Sequence, residues 1–421
     1  MSARGILLGG TLGLVSLAAA AADWPQWRGP DRTGRAADFT PPKAWPKELT
    51  KKWKVPVGNG DATPALVGDR LYVFTFEGGN EITRCLDAVS GKELWQDKYP
   101  TQGATRPAAG PHEGPRASPT VADGKVVTYG VRGVLSCLDA GSGKVVWRKD
   151  DFKGFWPQFY TSSSPIIADG LVVAQLGGQE GGKGMGKGPK GKEAGGVVAY
   201  DLATGQEKWR WTGAPAAYAS PVVLTVGGTK VVVAETDKSV VALGLADGKL
   251  LWETPYVVTG RMGYNAATPT PAADGQTVII AGSGRGVKAV RLEKQGDKLA
   301  AQELWHNEDN SVQFNTPVVK DGLVYGLSLS NVLFCIDKSG KTAWTAPLKG
   351  GRGFGSIVDA GPVLMVLTPA RQLTVFEPGD KEFKQVASYT VADSDTYAYP
   401  VVAGNRIFVK DNDSVTLWTI E

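Results

Sequence analysis

Any chemistry this chain performs must come from residues gathered by a repeat, because no compact catalytic motif is present. Eight positions, each two residues ahead of a recurrent unit start, carry Asp61, Arg116, Ser162, Tyr218, Ala266, Phe314, Phe354 and Tyr397. On the same connections lie Trp156, Tyr160, Arg261, Tyr264, Asn265, Asn315, Arg352 and Asp395. Brought to one place, these would form an aromatic rim with two or three arginines. Such a rim could stack a planar ligand or a sugar, or clasp a peptide. The competing reading is structural: the aromatics plug a channel and the arginines pair with local carboxylates. Covalent and metal chemistry are poorly provided for. Cys85, Cys137 and Cys335 lie 52 or more residues apart, which excludes a disulfide scaffold and a Cys-based zinc site. His112 and His306 are too few for a His-rich metal site, no CxxCH is present, and no Ser-His-Asp or Cys-His arrangement is indicated. The expectation is no catalytic residue and no metal.

The elements that would position the rim repeat along the chain. Residues 85–95 read Cys-Leu-Asp-Ala-Val-Ser-Gly-Lys-Glu-Leu-Trp, and residues 137–147 read Cys-Leu-Asp-Ala-Gly-Ser-Gly-Lys-Val-Val-Trp. Related copies end at Trp209, Trp252 and Trp344, each with Gly four residues before the Trp. Trp305 belongs to a copy with a longer hairpin around Gly296, and Gly379 with Phe383 keeps the spacing with Phe in place of Trp. Each unit opens on Thr63-Pro64, Ser118-Pro119, Ser164-Pro165, Ser220-Pro221, Thr268-Pro269 or Thr316-Pro317, with Ser356-Ile357 and Tyr399-Pro400 as variants. Proline at the start of a strand costs no ladder hydrogen bond. Asp123-Gly124 marks a hairpin turn, and the Asp-x-x-Ser/Thr-Gly segment marks another. Each unit is therefore four short antiparallel strands that cannot bury both faces alone. Eight units predict an all-β, eight-bladed β-propeller, with the indoles wedged where the blades splay apart. The last unit lacks an outer strand, and residues 50–57 with Trp53 should supply it. The Ala or Cys at position 85, 137, 199, 242, 289 or 335 marks a tight buried slot, so three inert thiols are expected.

Composition sets the surroundings. Hydrophobic residues make up 42% and charged residues 21%, a globular balance, and the net charge of +4 is too mild to argue for nucleic acid. Residues 1–22 have Arg4, an apolar run and a small-residue end, and read as a Sec signal peptide. No later segment is long and apolar enough to span a bilayer. The expected product is periplasmic or secreted and monomeric. Its parts are an arm over residues 23–49, lying across the exterior or one face of the ring, and a propeller over residues 50–421. Within it, residues 177–196 form a flexible Gly/Lys-rich hairpin tip carrying Lys183, Lys187, Lys190 and Lys192.

The repeat Ala/Cys-x-Asp-x-x-Ser/Thr-Gly-x-x-x-Trp resembles that of the pyrroloquinoline-quinone (PQQ) dehydrogenase propeller superfamily. Residues 23–34 look like the opening of secreted bacterial PQQ-like propellers. The resemblance implies one of two functions. One is a non-enzymatic scaffold, like the propeller lipoprotein of the outer-membrane β-barrel assembly machinery, with no cofactor and a protein, peptide or glycan partner of the cell envelope. The other is a small PQQ- and calcium-dependent alcohol or sugar dehydrogenase. For that second role Asp61, Glu113, Asp395, Asn265 and Asn315 could offer oxygens to calcium, and Arg116, Arg261 and Arg352 a cation to the quinone. The dehydrogenases carry adjacent cysteines over the quinone, which this chain lacks, and the assembly lipoprotein has a lipobox cysteine, also lacking here. The scaffold is the favoured expectation.

Overall fold

The computed structural model describes residues 23–36, 38–105, 112–182, 192–258, 264–350 and 353–420. Its strands form eight separate antiparallel sheets, seven of four strands and one of five, in an eight-bladed β-propeller. The first blade is typical, with strands Ala65–Val67, Arg70–Glu77, Asn80–Asp87 and Glu93–Pro100. The third blade gains Phe155–Trp156, which pairs with the second strand, Leu171–Glu180. The last blade has three late strands, Val401–Ala403, Arg406–Lys410 and Ser414–Thr419, and Thr50–Pro56 completes it by pairing with Ser414–Thr419. The first and last strands of the described chain therefore lie in one sheet, as the clasp predicted from Trp53 requires.

Three devices read from the repeat hold the blades together. The first is the indole. Trp147 Nε1 donates to Leu202 O of the next blade at 2.9 Å, and Trp209 Nε1 donates to Leu245 O at 2.9 Å. Trp95 and Trp53 make the same bond to Ala140 O and Ala88 O, the latter across the junction of last and first blades. The second device is the turn glycine, which meets the indole of the preceding blade. A Cβ on Gly205 would come within 2.7 Å of Trp147, and its φ of +70° already disfavours any side chain. Gly and Trp are thus partners across a junction, not within one unit. The third device is the Ser/Thr before each proline. Its hydroxyl accepts the amide N–H of the equivalent residue one blade earlier: Thr63 to Ser118 (3.0 Å), Ser118 to Ser164 (2.9 Å), Ser164 to Ser220 (2.9 Å), Ser220 to Thr268 (2.9 Å) and Thr268 to Thr316 (3.1 Å). Tyr399 N–H closes the junction of last and first blades onto Thr63 Oγ1 at 2.9 Å.

Every outer strand also carries a register shift beside its Trp position, for example between Cys137 and Leu138 and between Ala199 and Tyr200. A bulge twists an edge and blunts its ability to pair with another chain.

Some expectations are corrected. In the seventh blade the residue opposite the small-slot position is Ala387, which faces Val375, so Phe383 does not occupy the Trp position. It sits in the preceding turn and packs on Trp344, ring centroids 5.8 Å apart. An early hairpin Pro-Gly-Asp made the spacing coincide. In the third blade the hairpin strands run on through Gly177–Gly195 pairing to Gln179–Glu193, so only residues 183–191, with Lys183, Lys187 and Lys190, fall outside the described residues. The three thiols are buried, and burial pushes Cys85 up to about 11 and Cys137 and Cys335 up to about 12.

The later part of the arm reaches the exterior, where Pro46 O accepts the Tyr389 hydroxyl of the seventh blade's outer strand (3.0 Å), but residues 23–36 do not lie there. Trp24 bridges Leu66, and Pro25 O accepts Val121 N–H, both at the first strands of the ring. From there the chain turns into the axis, and Trp24, Arg28 and Arg32 are fully buried. Arg28 donates to Thr316 O (2.7 Å), Pro317 O (2.8 Å) and Tyr399 Oη (3.1 Å). Arg32 donates to Gln26 Oε1 (2.9 Å), Ser164 O (3.0 Å), Pro221 O (2.8 Å) and Pro165 O. Innermost strands near an axis have carbonyls with no neighbour to bond, and two guanidinium forks satisfy them from the centre.

One junction is built to respond to pH. Glu81 is buried between the first two blades, where it accepts the Tyr99 hydroxyl and the Val131 N–H (2.7 Å). Burial pushes its carboxyl from 4.5 up to about 7, against the hydrogen bonds that lower it. The folded chain then keeps this proton where the unfolded chain has lost it. Its stabilisation is full below about pH 4.5 and is lost as the pH rises through about 7, for a change of about 3 kcal/mol at most. Urea midpoints measured from pH 4 to pH 8 should show this fall, and Glu81→Gln should reduce it, leaving the part that comes from Glu235, a fully buried carboxyl that burial also raises. A variant that keeps the slope assigns it to another group.

Candidate functional site: a blind aromatic cup

The connections entering the first strand of each blade converge at one end of the axis. There they line a cavity of about 850 Å³. All eight positions two residues ahead of a unit start face it: Asp61, Arg116, Ser162, Tyr218, Ala266, Phe314, Phe354 and Tyr397. The reason is geometric. In a ring of equivalent blades, one sequence position recurs at one height and one radius.

The lining has two sectors. An aromatic arc runs by successive ring contacts from Phe159 to Tyr264 (4.8 Å, edge to face), Tyr264 to Phe314 (6.5 Å, stacked), Phe314 to Phe354 (4.0 Å, stacked) and Phe354 to Tyr397 (5.5 Å, edge to face). Tyr218 joins it at 5.8 Å from Tyr264, and its hydroxyl accepts the Phe159 N–H at 3.1 Å. The arc ends where Tyr397 meets His112 edge to face at 4.4 Å. There the polar sector begins. His112 Nδ1 lies 2.8 Å from Asp61 Oδ2, and Arg116 Nη2 donates to His112 O at 2.9 Å.

The floor comes from the arm. Trp27 lines the cavity and packs edge to face on Tyr399 at 5.5 Å. With Arg28 and Arg32 behind it, the axis is closed and the funnel is a blind cup.

Other candidates fall outside the lining. Trp156 and Tyr160 stack on each other at 6.0 Å beneath the Arg132 guanidinium, and Tyr160 Oη bonds Thr105, so they brace the rim. Asn265 is buried, and its amide donates to Thr236 O (2.7 Å) and Tyr256 O (2.9 Å). Asn315 is buried likewise, donating to Gly355 O (2.7 Å) and accepting Leu327 N–H (3.0 Å). Both amides serve the backbone. Asp395 is exposed and does not line the cup. Arg261 and Arg352 lie outside the described residues. Sequence reasoning missed Trp27, Phe159, His112, Gln313 and Leu329, which the structure adds to the lining. His112 carried a signal, since it lies four residues before Arg116 on a connection already singled out.

A quinone held on calcium needs six to eight oxygen ligands for the ion and cations for the ring oxygens. The described lining offers one carboxylate, Asp61, already engaged by His112, and one guanidinium, Arg116. Among the described residues no three His, Cys, Asp or Glu side chains stand together as a metal cluster. Glu113 and Asp395 are exposed, the Asn315 oxygen accepts Leu327 N–H, and Asn265, whose side-chain oxygen has no partner among the described residues, lies outside the cup lining. The donor set does not fit the group.

Fold and repeat define a PQQ-type eight-bladed propeller. A profile of the outer membrane protein assembly factor BamB family matches residues 39–209, 78–345 and 330–421. The chain belongs to that family. It is 28% identical over 244 residues to the outer membrane protein assembly factor BamB of Yersinia pestis, covering 56% of this chain and 57% of that one. It is 25% identical over 383 residues to the BamB of Burkholderia pseudomallei, covering 87% and 86%. The quinohemoprotein alcohol dehydrogenase of Comamonas testosteroni is 27% identical over 156 residues, 37% of this chain and 20% of that protein. Its crystal structure shares the fold, with a TM-score of 0.68 at 15% identity over 96% of this chain and 81% of that one. The chain thus spans just over half of the Yersinia relative and a fifth of the dehydrogenase. The family match begins at residue 39, after the arm segment that floors the cup.

Proposed function

We propose that the protein is a non-catalytic scaffold of the cell envelope that holds a protein partner at the cup face of its propeller. Residues 1–22 would direct export, and the exported protein would work in the periplasm as a monomer. The observation that carries the reading is the donor set of the cup. It is rich in aromatic rings and holds one engaged carboxylate, which suits binding more than quinone and calcium chemistry. Membership of the assembly-factor family supports the same choice.

Crosslinking and capture from the native envelope tests it. A specific partner should be recovered with the intact chain, and its yield should fall at least fivefold when Phe314→Ala and Phe354→Ala are combined, because stacked aromatics at a buried centre carry much of an interface. Unchanged recovery would move the interface off the cup. In parallel, PQQ with calcium should give no dye reduction with alcohols and sugars. Turnover would replace the scaffold with the dehydrogenase reading.

A further inference from the structure

The cup is chemically unbalanced at Arg116. Nη2 of its guanidinium donates to His112 O at 2.9 Å, while Nη1 is buried with no acceptor among the described residues. The one carboxylate of the described lining, Asp61, is turned to His112 Nδ1. The guanidinium carbon lies 5.8 Å from the Tyr160 ring centroid, and a ring face is a weak counter-charge. Burial depresses the pKa of the group and the charge of nearby Asp61 offsets part of that, so the site holds a partly desolvated cation to which no carboxylate is hydrogen-bonded among the described residues. An N–H left unpaired in such a place is costly, and a carboxylate is the partner whose two oxygens match a guanidinium edge.

Around the rest of the cavity stand Tyr218, Tyr264, Phe314, Phe354 and Tyr397, with Trp27 as floor. That wall rewards flat apolar groups and offers few hydrogen bonds. The cavity, at about 850 Å³, falls within the range that encloses a compact organic ligand. We infer that the cup takes a carboxylate carried on an aromatic body, the carboxylate on Arg116 and the ring within the arc. The arm is part of this site, because Trp27 closes it, and the arm segment lies outside the family match. Two sources share the chemistry, a free aromatic acid and the carboxyl end of a peptide chain. The inference rests on the proposed function only in taking the cup as the binding face.

Isothermal titration of the purified protein with N-acetyl-L-phenylalanine and with its amide tests the wild type without any variant. The acid should bind at least tenfold tighter. Arg116→Gln should erase that preference, and Phe314→Ala should weaken acid and amide alike. Equal binding of acid and amide, no saturation by either, or a preference that survives Arg116→Gln overturns the inference. Hexapeptides ending in phenylalanine, with the terminus free or amidated, separate the sources. Free-terminus peptide binding tenfold tighter than the single acid assigns the site to a chain end, and equal binding assigns it to a free acid. Partner capture that persists while the acid preference is absent would sink this inference and leave the scaffold standing. An acid preference with no partner captured would do the reverse.

Discussion

Replacing Arg32 by Leu should lower the unfolding free energy by about 3–5 kcal/mol, far more than a loop arginine usually does. The side chain is fully buried on the axis, where it donates to Gln26 Oε1, Ser164 O, Pro165 O and Pro221 O. Thr120 Oγ1 also donates to Pro165 O at 2.6 Å, so that carbonyl keeps a partner in the variant. The other three acceptors do not, apart from any water that enters, and each unsatisfied buried acceptor costs about 1–3 kcal/mol. Burial pulls the guanidinium down to about 9, so it is still protonated at neutral pH, and the carbonyls around it favour that charged form. Arg32→Lys should recover only part of the loss, since one ammonium cannot reproduce a planar fork that spans the third and fourth blades. Urea denaturation with an unchanged m-value would measure both. A shift below about 0.5 kcal/mol, the range of ordinary surface substitutions, would mean that the carbonyls at the axis do not need the plug.

This plug marks the limit of what the residues disclosed beforehand. The blades were legible because a repeat reports the same physics several times over. Gly205 and Trp209 stand four apart for the same reason as Gly143 and Trp147, and the missing outer strand of the last unit pointed to Thr50–Pro56. The cup was legible for a related reason, since equivalent positions on equivalent blades must share a radius. Arg28 and Arg32 belong to no repeat. Flanked by Gly29, Pro30 and Gly34, they lie in an arm expected on the exterior or one face of the ring, and only the carbonyls of residues 164, 165, 221, 316 and 317 show why they go inward. Asn265 and Asn315 failed in the opposite direction. Their position near the rim suggested ligand oxygens, but neither lines the cup, and their amide N–H groups are held by backbone carbonyls of tight connections. Phe383 shows that spacing alone misleads where a turn changes length, because the strand register places Ala387 opposite Val375.

Trp147→Ala should cost about 3–5 kcal/mol, the range for deleting a large aromatic from a core. The indole lies in the cluster that joins the second and third blades with Val172, Val198 and Tyr200, and its N–H is spent on Leu202 O. Truncation therefore removes a wedge, leaves a buried carbonyl without its donor, and opens a gap beside Gly205. Neighbouring blades cannot collapse into that gap freely, because Ser118 N–H and Ser164 Oγ fix their separation at the axis. The alternative view, that an outer-strand Trp is merely a surface residue, predicts a change near zero. Trp252 supplies the internal comparison. It is only partly buried, on a blade whose neighbour has the long hairpin in place of the glycine turn. Trp252→Ala should cost clearly less than Trp147→Ala. Denaturant midpoints for the two variants decide the matter, and equal losses would show that the glycine platform contributes nothing to the wedge.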